Sequence, residues 1–490
     1  MDYMHLKSGT DVRGIASDLG GKAVELDSNA VYDITAAFAV WYVNKFSKAA
    51  NELKIAVGHD SRITADTICE AVIRSLTNAG VTVIDCGLAS TPAMFMTTVD
   101  LHTDAAIQIT ASHHPFDRNG LKFFVGTGGL DGSDISEILS LASNGEECIS
   151  ERSGTVVLSD YMKDYAARLR NMIIREVAGG EQPLKNYHII VDAGNGVGGF
   201  YANEVLAPLG ADISGSQFLE PDGMFPNHIP NPENNQAMES ICAAVKANRA
   251  DFGVIFDTDV DRAGCVDADG NEINRNRLIA IASYIALGGK KGGTVVTDSV
   301  TSDGLKKYIQ NDLGGVHYRY RRGYKNVINK AIELCNQGID CPLAIETSGH
   351  AALRENYFLD DGAYLATKII IELAKGTDIE ALLSNLEMPS EEAEYRFNIK
   401  EKDFRAYGEK VIADLEEFAK TKKDYVIADD NREGIRVSTE YGWFLLRLSV
   451  HDPVMPMNFE SREKGGINSM KQELKAFFKG FDKLEMPKDF

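Results

Sequence analysis

Positive charge is scarce in this sequence: 51 Lys and Arg stand against 72 Asp and Glu, a formal net charge of −21 over 490 residues. Such a field repels a phosphate backbone or an anionic bilayer at long range, so neither a nucleic-acid nor a membrane partner is expected. An anionic small-molecule substrate would have to be drawn in by a local cluster of cations. Long hydrophobic runs are also missing. The longest, near 34–43 and 278–287, fall well short of the ~20 residues of a membrane-spanning helix. The start, Met1-Asp2-Tyr3-Met4-His5, shows no basic region followed by an apolar stretch; no secretory signal is visible, and a cytoplasmic placement is expected. The seven cysteines (69, 86, 148, 242, 265, 335 and 341) include no C-x-x-C pair and no zinc-type grouping, which excludes a disulfide framework and reads as reduced, buried thiols. No biased tract suggests disorder.

What is present is ordinary globular material, 44% hydrophobic and 25% charged, in a chain too long for one core. Three times a short β-branched strand leads into a turn rich in Gly, Asp or Ser and then an amphipathic stretch, the rhythm of α/β layers. The first runs from Lys54–Val57 through Gly58–Arg62 to a helix over about 65–79 and a strand over 81–85. The second runs from His188–Val191 through Asp192–Gly196 to a helix reaching about 208, and the third from Thr294–Thr297 through Asp298–Ser302 to a helix reaching about 310. Beyond 390–394 the character changes to a charged helix near 402–422 and alternating strands around 424–460. The expected fold class is α/β: three similar mixed α/β domains (1–155, 156–271, 272–388) and a smaller C-terminal α+β domain (389–490).

Two loops carry candidate chemistry. The apolar run Ala105–Ile109 ends in Thr110-Ala111-Ser112-His113-His114-Pro115, where a serine at a strand end has an imidazole beside it. A lone Ser-His pair is more often a capping serine, but Asn119-Gly120-Leu121-Lys122 adds an ammonium group that a phosphoserine could use. The apolar run Phe252–Phe256 ends in Asp257-Thr258-Asp259-Val260-Asp261-Arg262. Carboxylates at i, i+2 and i+4 share one side of an extended chain, so three hard oxygens converge on one cation, and Mg²⁺ fits best. A solvated acidic turn is the plain alternative. The D-x-D strand end of haloacid-dehalogenase-type phosphatases is a rival, disfavoured because this run closes a domain that the serine loop precedes.

These residues resemble the α-D-phosphohexomutases, the family of phosphoglucomutase, phosphomannomutase and phosphoglucosamine mutase. Residues 110–115 match its serine loop T-A-S-H-N-P except for His114, 257–262 match its metal loop D-x-D-x-D-R in full, and Ile345-Glu346-Thr347-Ser348-Gly349-His350 matches its sugar loop G-E-x-S-G-H except for Ile345. Asp360-Asp361-Gly362, Gly9–Gly14 and Gly58–Arg62 add shorter matches. The resemblance implies domains set around a central cleft, a phosphoryl group carried on Ser112, and Mg²⁺ held by that phosphate with Asp257, Asp259 and Asp261. It implies that Arg13, Arg262, His113 and Lys122 are the cations around the phosphate, that Glu346 and Ser348 bind sugar hydroxyls, and that His350 moves a proton. Arg322 and Lys325, in the densest basic cluster of the chain, match a loop that closes the pocket. The implied reaction interconverts hexose 1-phosphate and hexose 6-phosphate, of glucose or mannose, through a bisphosphorylated sugar, with hexose 1,6-bisphosphate as activator.

The C-terminal phosphate loop departs from the family. Where R-P-S-G-T-E-P or R-A-S-N-T is usual, the chain reads Arg447-Leu448-Ser449-Val450-His451-Asp452-Pro453. Arg447, Ser449 and His451 remain as candidate phosphate ligands, joined by Arg432 and Arg436 from a segment similar to the family's D-G-x-R. The alternatives are a phosphoglucosamine mutase, whose sugar loop carries Gln at the place of Thr347, and a catalytically weak sugar-phosphate-binding member.

Overall fold

A computed structural model describes residues 2–126, 128–449 and 452–490. The chain forms two compact units, Met1–Asn274 with Ser348–Ile379, and Arg275–Thr347 with Glu380–Phe490. Among the described residues no helix is long and apolar enough to cross a membrane.

The first unit holds two sheets. In the first, Lys54–His59 lies at the centre, parallel to both Thr82–Leu88 and Ala105–Ile109. Arg118–Val125 folds back antiparallel on Ala105–Ile109, and Asp11–Ile15 pairs antiparallel with Arg118–Val125. Ile55, Val57, Ile107 and Ile109 are fully buried here, as continuous β-branched runs in a two-sided parallel sheet should be. The helix Ser28–Phe46 covers one face; Asp27 caps it by accepting from the N–H groups of Asn29 and Ala30, and its Phe38 stacks on Phe123 at 4.6 Å. Helix and strand expected over 65–79 and 81–85 are Ala65–Asn78 and Thr82–Leu88.

In the second sheet Phe252–Phe256 runs parallel to Ile189–Asp192 and antiparallel to Ala263–Val266. The helix expected to reach about 208 is instead a π-wound turn, Tyr201–Leu206, followed by a 3₁₀ turn, Ala207–Leu209. Pro208 has no N–H to continue an α ladder. The returning segment Ser348–Ile379 contributes a hairpin, Ala351–Leu353 with Leu359–Asp360, and the helix Gly362–Ala374 capped by Asp361. This helix packs close: a Cβ on Gly362 would lie 2.5 Å from the Arg262 carbonyl carbon, so only glycine fits. Tyr165 Oη donates to Asp361 Oδ1 over 2.7 Å and pins the same turn.

The second unit also has two sheets. Thr294–Thr297 lies between Val316–Arg319 and Leu343–Ile345, all parallel. The C-terminal sheet is antiparallel throughout, in the order Val426–Ile427, Ile435–Ser438, Gly442–Leu446, Val454–Ser461, Glu391–Ile399, Leu484–Glu485. Helices Phe404–Lys420 and Gly466–Phe478 cover it, burying Val411, Leu415 and Leu474 against Phe397, Phe444 and Met457. The chain is mixed α/β with a β-rich C-terminal domain.

Candidate active site

Ser112 lies three residues beyond the end of the buried strand Ala105–Ile109 and sits in the left-handed region, φ 51, with 3% of its surface exposed. A β-region serine would continue the strand; the left-handed turn swings Oγ out of the ladder. Thr110 Oγ1 accepts the Ser112 N–H at 2.8 Å and donates to Asp60 Oδ2 at 2.7 Å. Arg62 holds the loop's carbonyls, donating to Ser112 O, His114 O, Pro115 O and Arg118 O.

The acidic run joins the antiparallel strands Phe252–Phe256 and Ala263–Val266, whose register pairs Phe256 with Ala263. It is a tight loop with Val260 at φ 66, not the extended chain expected from the i, i+2, i+4 spacing. The three carboxylates still converge: one oxygen from each of Asp257, Asp259 and Asp261 lies within 4.8 Å of the others. Closure of the hairpin, not strand alternation, gathers them. Ser112 Oγ donates to Asp257 Oδ2 at 3.2 Å, which joins the two loops.

The donor set fits a small hard cation. All three carboxylates are buried, and among the described residues Asp259 Oδ1 and Asp261 Oδ1 have no hydrogen-bond partner, an arrangement that a bound cation would relieve. Burial and the neighbouring Asp261 push the Asp257 carboxyl upward, whereas Asp261 is held low against burial by Lys122, His350 and Arg262. Lys122 Nζ donates to Asp261 Oδ2 at 2.6 Å and Asp259 Oδ2 at 3.3 Å. Thr91, at the start of a separate helix, donates through its hydroxyl to Asp259 Oδ2 and through its N–H to Asp259 O.

Arg262 is fully committed here. Its Nε donates to Asp257 Oδ2 at 3.0 Å, and Nη2 donates to Ser112 Oγ at 3.2 Å and His113 Nδ1 at 2.6 Å. His113 therefore departs from expectation: burial and then Arg262 depress its pKa to about 2, so it is a neutral acceptor and not a cation. His114 stacks on it at 5.2 Å and is depressed likewise, to about 3, by burial and then Arg13. Arg13 pairs with Asp11 at 2.8 Å on the strand beside Arg118–Val125. His350 Nδ1 lies 2.5 Å from Asp360 Oδ2 and 3.8 Å from Asp261 Oδ1; burial opposes its charge, but these two carboxylates outweigh it and raise the pKa to about 9. Ser112, His113, Lys122, Arg262, His350 and the three aspartates thus form one network of nucleophile, carboxylates and cations, suited to phosphoryl transfer.

Three family models match the chain in order: "Phosphoglucomutase/phosphomannomutase, alpha/beta/alpha domain I" over residues 7–147, domain II over 163–270 and domain III over 274–388. A phosphoglucomutase/phosphomannomutase of Thermococcus kodakarensis is 30% identical over 437 residues, covering 86% of this chain and 91% of the relative. The chain belongs to the phosphoglucomutase/phosphomannomutase family. It is a phosphohexomutase, an enzyme of the isomerase class. A phosphoglucomutase of Neisseria gonorrhoeae is 29% identical over 484 residues, 97% of each chain. A solved phosphoglucomutase/phosphomannomutase family protein from Burkholderia thailandensis superposes with a TM-score of 0.82 at 26% identity, covering 98% of both chains.

In this phosphohexomutase the sugar loop is a turn, with Gly349 at φ 94, and not the extended stretch expected for alternate residues to share a side. The boundary between the two units falls inside it, between Thr347 and Ser348. Glu346 accepts the Gly323 N–H at 2.6 Å and Thr347 Oγ1 donates to Asp298 Oδ2 at 2.7 Å; Ser348 is buried. Lys325 lies in the first turn of the helix Tyr324–Asn336. Arg322 and Arg447 both approach Glu394, at 3.9 and 3.8 Å. Ser449 Oγ accepts the Asp452 N–H at 3.3 Å, while Val450 and His451 lie outside the described residues. Arg432 lies over the Tyr318 ring at 4.0 Å.

Arg436 is engaged mainly by the protein itself. It is 3% exposed, stacks on Trp443 at 3.5 Å, and donates to Asp303 Oδ1 and to the carbonyls of Ser299 and Thr301. With three hydrogen bonds to the protein, this guanidinium has fewer of its five donors to offer a phosphate. Arg62, Asp60, Asp360 and Thr91 have roles that their sequence context does not reveal. Gly58–Arg62 and Asp360–Gly362 stood out only as strings, and Thr91 carried no signal.

Proposed function

We propose that the enzyme interconverts hexose 1-phosphate and hexose 6-phosphate, of glucose, mannose or both, through a phosphoryl group carried on Ser112. What carries this reading is the position of Ser112 Oγ, 3.2 Å from both Asp257 Oδ2 and Arg262 Nη2. In the first half-reaction the bond from phosphorus to Ser112 Oγ breaks as a bond to a sugar hydroxyl oxygen forms. The bisphosphorylated sugar reorients, and its other phosphoryl group returns to Ser112. Arg262 neutralises the leaving Oγ; His350, carrying its proton at neutral pH, gives it to the oxygen that becomes basic during transfer and recovers the proton that the sugar hydroxyl releases, so that the net transfer is from that hydroxyl to Ser112 Oγ. Asp257, Asp259 and Asp261 would hold Mg²⁺ with Ser112, which supplies positive charge to the transferring group. Hexose 1,6-bisphosphate would charge an unphosphorylated serine and so act as activator.

Glu346 and Ser348 bind sugar hydroxyls in this reading, and Arg447, Ser449 and His451, with Arg322, Lys325 and Arg432, take the distal phosphate. Domain limits at 155/156, 271/272 and 388/389 belong to it too, supported by family matches that end at 147, 270 and 388. A coupled assay with glucose 1-phosphate, mannose 1-phosphate and glucosamine 1-phosphate, with Mg²⁺ and with or without the bisphosphate, tests it. Turnover of the first two with Ser112→Ala inactive is the expected result. Turnover of glucosamine 1-phosphate alone, or of none, would overturn it.

A further inference from the structure

Arg62 stands 50 residues before Ser112, yet its guanidinium is spent on the loop that Ser112 opens. Its side chain is 0% exposed. Nη1 donates to the carbonyls of Pro115 at 2.7 Å and Arg118 at 2.8 Å; Nη2 donates to those of His114 at 2.6 Å and Ser112. Its counter-ion grips the same loop from the strand side. Asp60, at the end of the central strand Lys54–His59, lies 3.2 Å from Arg62 Nε and accepts the Thr110 hydroxyl, which in turn accepts the Ser112 N–H.

A non-glycine residue in the left-handed region costs on the order of 1–3 kcal/mol and persists only where its surroundings over-determine it. Ser112 is such a residue, and the Arg62–Asp60 pair is what over-determines it. The four carbonyls that Arg62 collects point inward from a polar loop, and one planar fork of donors satisfies them together. A lysine ammonium, a point charge with three donors, cannot. Arg62 has no hydrogen bond to Ser112 Oγ or to the acidic loop; it acts through the backbone.

We propose that Arg62 is a positioning residue for phosphoryl transfer, fixing Ser112 Oγ over the Asp257 carboxylate by holding the Ser112–Arg118 carbonyls. The inference rests on Ser112 being the phosphoryl carrier. The test uses the full-length enzyme as Arg62→Lys, Arg62→Ala and Thr110→Val, assayed with glucose 1-phosphate, Mg²⁺ and glucose 1,6-bisphosphate. A displacement of about 1 Å at the reacting atom costs about 100-fold in rate, so Arg62→Lys is expected to lose that much kcat with KM within about threefold of wild type. Thr110→Val, which removes both the Asp60 link and the acceptor of the Ser112 N–H but leaves Arg62 in place, loses about tenfold on the same scale. Free guanidinium ion at millimolar concentration restores part of the Arg62→Ala activity and leaves wild type unchanged. A kcat within about threefold of wild type in both Arg62→Lys and Thr110→Val, or no guanidinium rescue of a folded Arg62→Ala, overturns the inference. If Arg62→Ala does not fold, the other two variants decide. Wild type inactive on every hexose phosphate sinks the proposed function instead. The positioning claim is then read from amide hydrogen exchange over 111–118: faster exchange confined to that loop in Arg62→Lys supports it, and unchanged exchange overturns it.

Discussion

Arg262 Nη2 reaches Ser112 Oγ and His113 Nδ1 at once, over 3.2 and 2.6 Å. The second contact is a guanidinium donor against an imidazole lone pair, so His113 carries its proton on Nε2 and no charge. Such a group is suited to orienting Arg262 and supplies no charge to a phosphate. Arg262→Lys keeps the charge but cannot span Asp257, Ser112 and His113 together. It is expected to lower kcat by about 10²–10³, the usual effect of losing a donor aimed at developing charge. His113→Gln, which keeps an acceptor near Arg262, is expected to lose far less. Steady-state kinetics on the two variants separates the roles, and equal losses would count against them.

Asp257, Asp259 and Asp261 bring three buried carboxylates within 4.8 Å, offset at close range by Lys122, Arg262 and His350. A divalent cation should therefore stabilise the fold as well as enable turnover. Mg²⁺ at 100 times its Kd is expected to add about 2.7 kcal/mol of stability, read as a rise in melting temperature. EDTA removes both that gain and activity. Asp259→Asn, which deletes one of the carboxylate charges, should flatten the Mg²⁺ dependence of melting. A variant that retained the full dependence would place the cation elsewhere.

The loops' chemistry was readable in the sequence because it is a matter of residue type: a serine after one buried strand, three aspartates after another. Their geometry was not. Valine disfavours positive φ, so nothing in the sequence marks Val260 as the left-handed residue that closes the acidic hairpin. Arg436 looked like pocket lining because it is a basic residue in an acidic chain; its burial follows from Trp443 and Asp303, which come from separate strand and helix segments. Arg62 binds carbonyls, and backbone acceptors leave no pattern in a sequence. The strands were visible where they are β-branched runs, whereas the π turn at Tyr201–Leu206 needed Pro208 to be weighed against the helical pattern before it.

Glu460 offers a check on the C-terminal sheet that does not involve the phosphate chemistry. It is 7% exposed, and burial, only partly offset by Arg436, raises its pKa from 4.5 to about 7. Between those values the folded state binds a proton that the unfolded state has released. Stability therefore falls as pH rises from about 5 to 8, by up to about 3 kcal/mol from this one group. Glu460→Gln, neutral throughout, should remove that slope and leave the variant more stable than wild type at pH 8. Urea unfolding of both proteins at pH 5 and pH 8 measures it, and parallel pH dependences would contradict the assignment.

Arg436 and Arg447 are both basic, both largely buried, and both on the C-terminal sheet or its edge, yet they should fail in different ways. Arg436 is bonded to Asp303, to two carbonyls and to the face of Trp443. Arg436→Met leaves those partners buried and short of a donor, at an expected cost of about 3–5 kcal/mol. The folded fraction keeps its KM, because that guanidinium is engaged mainly by the protein itself. Among the described residues Arg447 has a loose ion pair, 3.8 Å from Glu394, and its Nε makes no hydrogen bond. Such a side chain is available to an anion. Removing one charge-assisted contact is worth about 1.5–3 kcal/mol, so Arg447→Ala is expected to raise KM for a hexose phosphate about 10- to 100-fold with little loss of stability. The phosphate on Ser112, read by intact mass, should be unaffected, since Arg447 is assigned to the distal phosphate and not to the serine. A variant that lost phosphoserine and substrate affinity together would show that Arg447 serves both phosphates and would overturn this prediction.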